Sequence, residues 1–420
     1  PTPAPTTPAP TPAPTPAPVT QAPTPSPTAC IWTDFIINEV ALPFETLPSS
    51  NFTDPFLDPE SYQSRALDWL CSPAGVPGGN LPLTRVAQRW VLACLYYATF
   101  RQRTEFSDDF FFPGVVPPWA DSQFWLTATS ECTWARIGCN PSSEVIIIDM
   151  YRNALTGQFP FEVVRLNNSL EILDIGETPP YARPEVRTVL GQLYLLRELR
   201  YEETSFISFT GVPTEIGNLK NLEFLSCSNV LYAGALDGRA FPSDMTALEY
   251  IDIEFNTFGS IIPEEIGLLP TLQYFYVGAS LMTGNIDFLQ PSTTMIEFWC
   301  DQNNLGGPLP TFLGGIPTLA SFSATESSWT GVLPETWSTL GAGLRQLFLR
   351  ANDISGSIPN SFSEFRNLNS LTLVDNPRMT GTLPADLCEL TFGPLQFFTA
   401  ECSICLEFLL YDCCDNLDDC

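Results

Sequence analysis

From Val145 onward, apolar residues recur at spacings that neither one helix nor one hairpin explains, and the spacing returns every 23 to 27 residues. The frame reads L-x-x-L-x-L-x-x-N-x-L-x-G-x-I-P. Val145, Ile148, Met150, Asn153, Leu155, Gly157, Phe159 and Pro160 fill it in order, as do Leu344, Leu347, Leu349, Asn352, Ile354, Gly356, Ile358 and Pro359. Nine further frames open at Leu170, Leu196, Leu222, Leu248, Leu272, Met295, Leu319, Leu368 and Leu395. The L-x-x-L-x-L half predicts a short strand with its apolar side chains turned inward and its x positions turned out. The asparagine that follows falls at a turn where buried backbone groups need a partner. Asn153, Asn256, Asn303, Asn352 and Asn376 occupy it, and Thr178, Thr204, Ser280 and Ser327 replace it in part. Val230 cannot, which marks the Leu222 frame as irregular. A single coil leaves one face bare, so the frames must stack into a solenoid. Eleven strands about 4.8 Å apart extend roughly 50 Å.

Upstream the pattern differs. Asp58-Pro59-Glu60 reads as a helix start, with an N-cap, a first-turn proline and an acid at the positive end of the dipole. Tyr62, Ala66, Leu67 and Leu70 then form a helical stripe, and Val86, Trp90, Ala93, Cys94 and Tyr97 form another after Pro82. Two such helices can cover the open end of a solenoid. Residues 1–28 contain twelve prolines and no charge, which predicts an extended polyproline II stalk reaching roughly 90 Å. Its threonines, Thr2, Thr6, Thr7, Thr11, Thr15, Thr20, Thr24 and Thr28, are candidate O-glycosylation sites. The sequons at Asn51 and Asn167 are candidates for N-glycan.

Composition then narrows the function. With 47 acidic and 18 basic residues the net charge is −29, a surface that repels nucleic acid and anionic membranes. The chain has no histidine, which removes the histidine-dependent nucleophilic triads, histidine zinc ligation and the usual neutral-pH switch. No run of 18 apolar residues is present, so no insertion into a membrane is expected within this chain. The sequence opens at Pro1, so the targeting segment is expected to lie outside it. Thirteen cysteines fit an oxidising, extracellular compartment: secreted, in a cell wall or at a cell surface.

The segments Leu155–Pro160, Leu305–Pro310, Trp329–Pro334, Ile354–Pro359 and Met379–Pro384 resemble the L-x-G-x-I-P half of plant-type leucine-rich repeats. Trp125-Leu126 followed by Cys132-Thr133-Trp134-Ala135-Arg136-Ile137-Gly138-Cys139 resembles the N-terminal cap of that class, with Arg136 and Ile137 where Gly and Val are customary. Ala66–Leu70 and Gln88-Arg89-Trp90, together with the terminal cysteine cluster, resemble the secreted leucine-rich-repeat proteins of diatoms and related algae. The resemblance implies an α/β repeat fold: a right-handed solenoid of about 11 repeats with its strands on the concave side. Residues 1–29 are then the Pro/Thr-rich stalk, 30–143 a helical and disulfide cap, 144–401 the solenoid and 402–420 a Cys-rich C-terminal cap.

The cap resemblance implies a Cys132–Cys139 disulfide. Cys71 and Cys94, one on each helix, are expected to pair. Cys388, Cys402, Cys405, Cys413, Cys414 and Cys420 form the C-terminal cluster, whose connectivity has fifteen solutions. Cys227 and Cys300 fall on inward positions and read as buried thiols. Cys30 is left over where stalk meets cap, open to an intermolecular disulfide or to another partner within the chain.

Outward strand positions carry Phe224, Tyr250, Tyr274, Tyr276, Trp299 and Phe348, alongside Glu202, Asp252, Glu254, Glu297 and Asp301. Exposed aromatics among carboxylates are the composition of a surface that binds protein or stacks sugar. An Asp252–Glu254 glycosidase pair is disfavoured because an open sheet lacks a closed pocket. The expectation is therefore a non-enzymatic protein without cofactor or metal. Its first reading is a structural or adhesive glycoprotein of wall, matrix or surface filament, contacting glycans and other chains, copies of itself among them. The alternative is the recognition ectodomain of a receptor, or an inhibitor of wall-degrading enzymes.

Overall fold

The computed structural model describes residues 30–41, 54–100, 106–107, 114–115, 119–157, 159–177, 188–203, 211–391, 393–401 and 404. Each frame contributes one strand, from Val145–Asp149 through Tyr250–Asp252 and Glu297–Trp299 to Phe397–Thr399. Among the described residues these strands lie side by side in sequence order in a twelve-stranded sheet, parallel throughout except for Ile137–Cys139, which pairs antiparallel with Val145–Asp149. The residue opening each frame is buried, from Val145 at 0% exposure to Leu395 at 2%. Coil after coil, these side chains fuse into one core running the length of the array.

The turn leaving each strand explains the asparagines. Arg152, Phe255, Gln302, Ala351 and Asp375 all adopt φ between 52° and 63°, a left-handed conformation that is costly for residues with a side chain. The asparagine after each one offsets that cost. Asn303 Nδ2 reaches the carbonyls of Val277, Cys300 and Asp301 at 2.8, 3.1 and 3.1 Å, and its Oδ1 accepts from the amides of Ser280 and Met282. Asn256 and Asn352 repeat the arrangement. A serine in place of asparagine satisfies some of the same carbonyls. Ser280 Oγ reaches those of Ile253 and Gly278, and Ser327 Oγ those of Cys300 and Thr325. At the irregular frame Val230 is simply buried, and beside it the hydroxyls of Tyr201 and Tyr232 meet at 3.1 Å inside the core. Thr178 and Thr204 lie outside the described residues.

Each coil returns through a short helical turn, and Pro213, Pro263, Pro310, Pro334 and Pro359 precede five of them. Proline fits because its ring presets φ and the missing N–H would have no helical partner there. The L-x-G-x-I-P segments add something the repeat pattern did not reveal: a second parallel sheet of Gly307–Pro308, Trp329–Val332, Asp353–Gly356 and Arg378–Met379. Gly356, at φ 77°, allows the bend between this sheet and the following turn.

The cap helices are Tyr62–Leu70 and Leu83–Thr99. The first begins three residues later than the Asp58 motif predicts. Ser61 is its N-cap, with Oγ accepting from the Ser64 amide at 3.0 Å, whereas Asp58 closes a turn through the Glu60 amide. Beneath the helices Trp69, Trp125 and Trp134 pack together, with Arg89 buried at 1% exposure against two of them. Arg89 is satisfied by the carbonyls of Gly75, Ala74, Thr127 and Thr129 and by Glu131, which also binds Arg85 and Gln88. Gln88 in turn accepts from the Val145 amide at 2.8 Å, and Tyr62 and Gln63 donate to the buried Glu162. Cap and first coil are thus joined by buried polar contacts as well as by apolar packing.

The disulfides correct one expectation. Cys132 is joined to Cys139, but Cys71 is joined to Cys30 rather than to Cys94. Cys71 ends its helix at the surface, while Cys94 sits on the inner face of the second helix at 0% exposure, a free buried thiol. Cys30 is therefore used within the chain and is not available for an intermolecular bridge. Cys227 and Cys300 are free and buried. Cys388 is disulfide-bonded, and Cys402, Cys405, Cys413, Cys414 and Cys420 lie outside the described residues. So do Asn51 and the stalk with Thr2, Thr6, Thr7, Thr11, Thr15, Thr20, Thr24 and Thr28. Asn167 is half-buried, directly after the turn Phe161–Leu166.

Candidate binding surface on the long sheet

Strand register decides which outward side chains meet. Phe224, Tyr250 and Tyr274 are direct cross-strand neighbours, as are Asp252, Tyr276 and Trp299. The Phe224 and Tyr250 rings stack with centroids 3.9 Å apart and planes 10° from parallel. Tyr250 then meets Tyr276 at 5.3 Å and Tyr274 at 6.1 Å, and Tyr276 meets Trp299 edge-on at 5.1 Å. All of these side chains are half-buried, because each ring covers part of the next. Phe348 stands apart from this run, since Ser323 separates it from Trp299 in the register.

Two hydrogen bonds pin the rings. Tyr276 donates its hydroxyl to Glu297 at 2.8 Å, and Trp299 Nε1 donates to Ser321 Oγ at 2.9 Å. At the other end Arg200 lays its guanidinium over the Phe224 ring, 3.9 Å from the centroid, while bonding Glu198. Arg200, Ser321 and Gly278 were not singled out from the sequence. The signal for Arg200 is its position, outward on the strand before Phe224.

The carboxylates line the same face. Asp252 accepts from the Glu254 amide, and Glu254 Oε1 accepts from the Gly278 amide at 3.3 Å. Gly278 makes that possible, because a Cβ there would stand 2.6 Å from Glu254 Oε1. Asp301 accepts from Ser323 Oγ and the Thr325 amide, each at 2.6 Å. Glu202 lies close over Gly176 in the same manner, with its buried Oε2 lacking a hydrogen-bond partner among the described residues. Burial pushes the Asp252, Asp301 and Glu202 carboxyls up from their ordinary range. Burial, reinforced by the charge of Asp252, pushes Glu254 up to about 7. That departs from the expectation that an open sheet leaves its carboxyls near ordinary values.

Among the described residues no group of three or more His, Cys, Asp or Glu side chains is placed to hold a metal ion. Among them, too, no helix is long and apolar enough to cross a membrane. A hollow of about 780 Å³ lies away from this surface, lined by residues including Ile262, Leu268 and Phe288.

The chain is a leucine-rich-repeat solenoid. Residues 343–365 match the family model described as Leucine Rich Repeat. The relatives point to the plant type: the chain is similar to Receptor-like protein 35 of Arabidopsis thaliana, at 26% identity over 265 residues, which cover 56% of this chain and 27% of that protein. It therefore spans about a quarter of that relative's length. Among solved structures it resembles a TDR receptor (TM-score 0.50, 23% identity, 60% of this chain and 50% of that one). It also resembles the plant peptide hormone receptor RGFR1 in complex with RGF2, again at TM-score 0.50 and 23% identity, over 64% and 52% of the two chains. At these identities the structural likeness establishes the fold alone.

Proposed function

We propose that this chain is the recognition portion of an extracellular, non-catalytic protein, and that it binds an extended segment of another protein on the open face of the long sheet. The observation that carries this reading is the run of contacting rings from Phe224 to Trp299, two of them pinned by hydrogen bonds to Glu297 and Ser321. Rigid aromatics give contact area at small entropic cost, which is why they dominate protein-binding surfaces. The solved structure of a peptide hormone receptor with its peptide supports the same use of this fold. Two disulfides in the cap support an oxidising compartment.

This ordering reverses the one reached from sequence. The structural or adhesive reading, with copies of the chain and glycans as partners, drew on the proline-rich segment, which lies outside the described residues. The algal resemblance rests on lead-in residues and the terminal cysteine cluster, whereas the similarities found are to plant receptor-like proteins such as Receptor-like protein 35 of Arabidopsis thaliana. Glu254 supplies a carboxyl able to hold a proton near neutrality, but it sits on an open sheet without the enclosed cavity that glycoside hydrolysis uses.

The test is a phage-displayed dodecapeptide library panned on the disulfide-intact full chain. Selected peptides are expected to bind Tyr250→Ala and Trp299→Ala variants at least tenfold more weakly, and Leu268→Ala, on the returning side, within twofold of the parent. A library yielding no binder, or binders indifferent to Tyr250 and Trp299, would overturn the reading.

A further inference from the structure

We infer that the aromatic run takes a lysine or arginine side chain of the bound segment, its cation lying across the Tyr250 and Tyr276 rings and against Asp252, Glu254 and Asp301. This deepens the recognition reading and rests on it.

Charge pairing along the molecule marks the place. Carboxylates on neighbouring coils have their own cations: Glu177 has Arg152, Glu198 has Arg200, Glu223 has Arg197, Asp353 has Arg378 and Asp375 has Arg350. Asp252, Glu254 and Asp301 have none among the described residues, although Glu254 is repelled both by Asp252 on its own coil and by Asp301 two coils on. The rings supply the second half of the argument. Phe224, the first of the run, already carries a cation, because Arg200 lies over its face. Tyr250, one face of which Phe224 covers, and Tyr276 carry no such cation among the described residues. A ligand cation there gains both the ring quadrupole and the unpaired carboxylates, and the partly desolvated setting strengthens both attractions. Gly278 keeps the floor low: it lets Glu254 lie against the backbone rather than stand up and fill the groove. The overall charge of −29 steers a basic segment toward this face and holds acidic ones away.

The probes are capped Gly/Ser dodecapeptides with one central arginine, lysine or citrulline, measured on the full chain by saturation-transfer NMR at pH 7.5. Arginine and lysine peptides are expected to bind at least tenfold more tightly than citrulline, which keeps the shape without the charge. The doubly amidated variant Asp252→Asn with Glu254→Gln should lose at least tenfold in affinity for the arginine peptide. The variant Glu264→Gln with Glu265→Gln, which removes the same charge from exposed positions on the returning side, should change it less than twofold. Melting curves of both variants establish that they are folded. Equal loss in the two variants would reduce the effect to general attraction, and citrulline binding as well as arginine would remove the cation; either result overturns the inference. If library peptides without any basic residue bind the face and depend on Trp299, recognition stands and the cation site falls. If no peptide of either set depends on the run, both fall.

Discussion

Replacing Glu254 with glutamine isolates the electrostatic cost of this surface. The carboxyl titrates near 7 in the fold against an ordinary value of 4.5, because it is buried and faces Asp252 and, across the next coils, Asp301, with only the Gly278 amide in compensation. The folded state therefore holds the proton more tightly than the unfolded chain does. That stabilisation is fully present below about pH 4.5 and is lost as pH rises through about 7. The full gap corresponds to roughly 3 kcal/mol, and since the side chain keeps some contact with water we take about 1–2 kcal/mol. Glutamine keeps the shape and can still accept from the Gly278 amide, but carries no charge at any pH. Glu254→Gln is thus expected to be about 1–2 kcal/mol more stable than the parent at pH 8 and to keep only about a quarter of that gain at pH 5. Urea unfolding followed by circular dichroism at the two pH values reads this directly, with Glu264→Gln as the exposed control. A variant no more stable than the parent at pH 8, or one whose gain persists unchanged at pH 5, would refute the reasoning.

Three other perturbations probe the frame that holds the surface. Asn303→Ala strands the amides of Ser280 and Met282 and three carbonyls, so urea unfolding should show a loss of about 3 kcal/mol or more. Glu131→Gln leaves the buried Arg89 guanidinium without its counter-charge and should destabilise the cap by about 3–5 kcal/mol, seen as an earlier near-ultraviolet transition from its packed tryptophans. Alkylation without reductant should label Cys94, Cys227 and Cys300 only after unfolding, and peptide mapping should find Cys30 linked to Cys71.

How much of this was legible depends on range. The frame of Val145, Ile148, Met150 and Asn153 could be read because each coil writes its own period within some 25 residues and every coil repeats it. The aromatic run was visible for the same reason: Phe224, Tyr250, Tyr276 and Trp299 sit at outward positions that the frame defines. Features depending on one distant partner were not visible. Nothing local directs Cys71 to Cys30 across 41 residues, and helix spacing favoured Cys94 instead. Nothing local in the sequence tells that Arg89 is buried, because Glu131 and the four carbonyls that converge on it come from other segments. The second sheet was hidden because segments of two to four residues have no alternation to detect. The close approach of Glu254 to the backbone needs Gly278, a residue from the next coil whose relevant property is the side chain it lacks.

The most direct test of the central claim is hydroxyl-radical footprinting of the intact chain with and without a saturating library-selected peptide. The account predicts that oxidation of Tyr250, Tyr276 and Trp299 falls severalfold on binding, while Tyr194, 53% exposed on the returning side, is oxidised at an unchanged rate. Protection of Tyr194 with Tyr250, Tyr276 and Trp299 unchanged would contradict it.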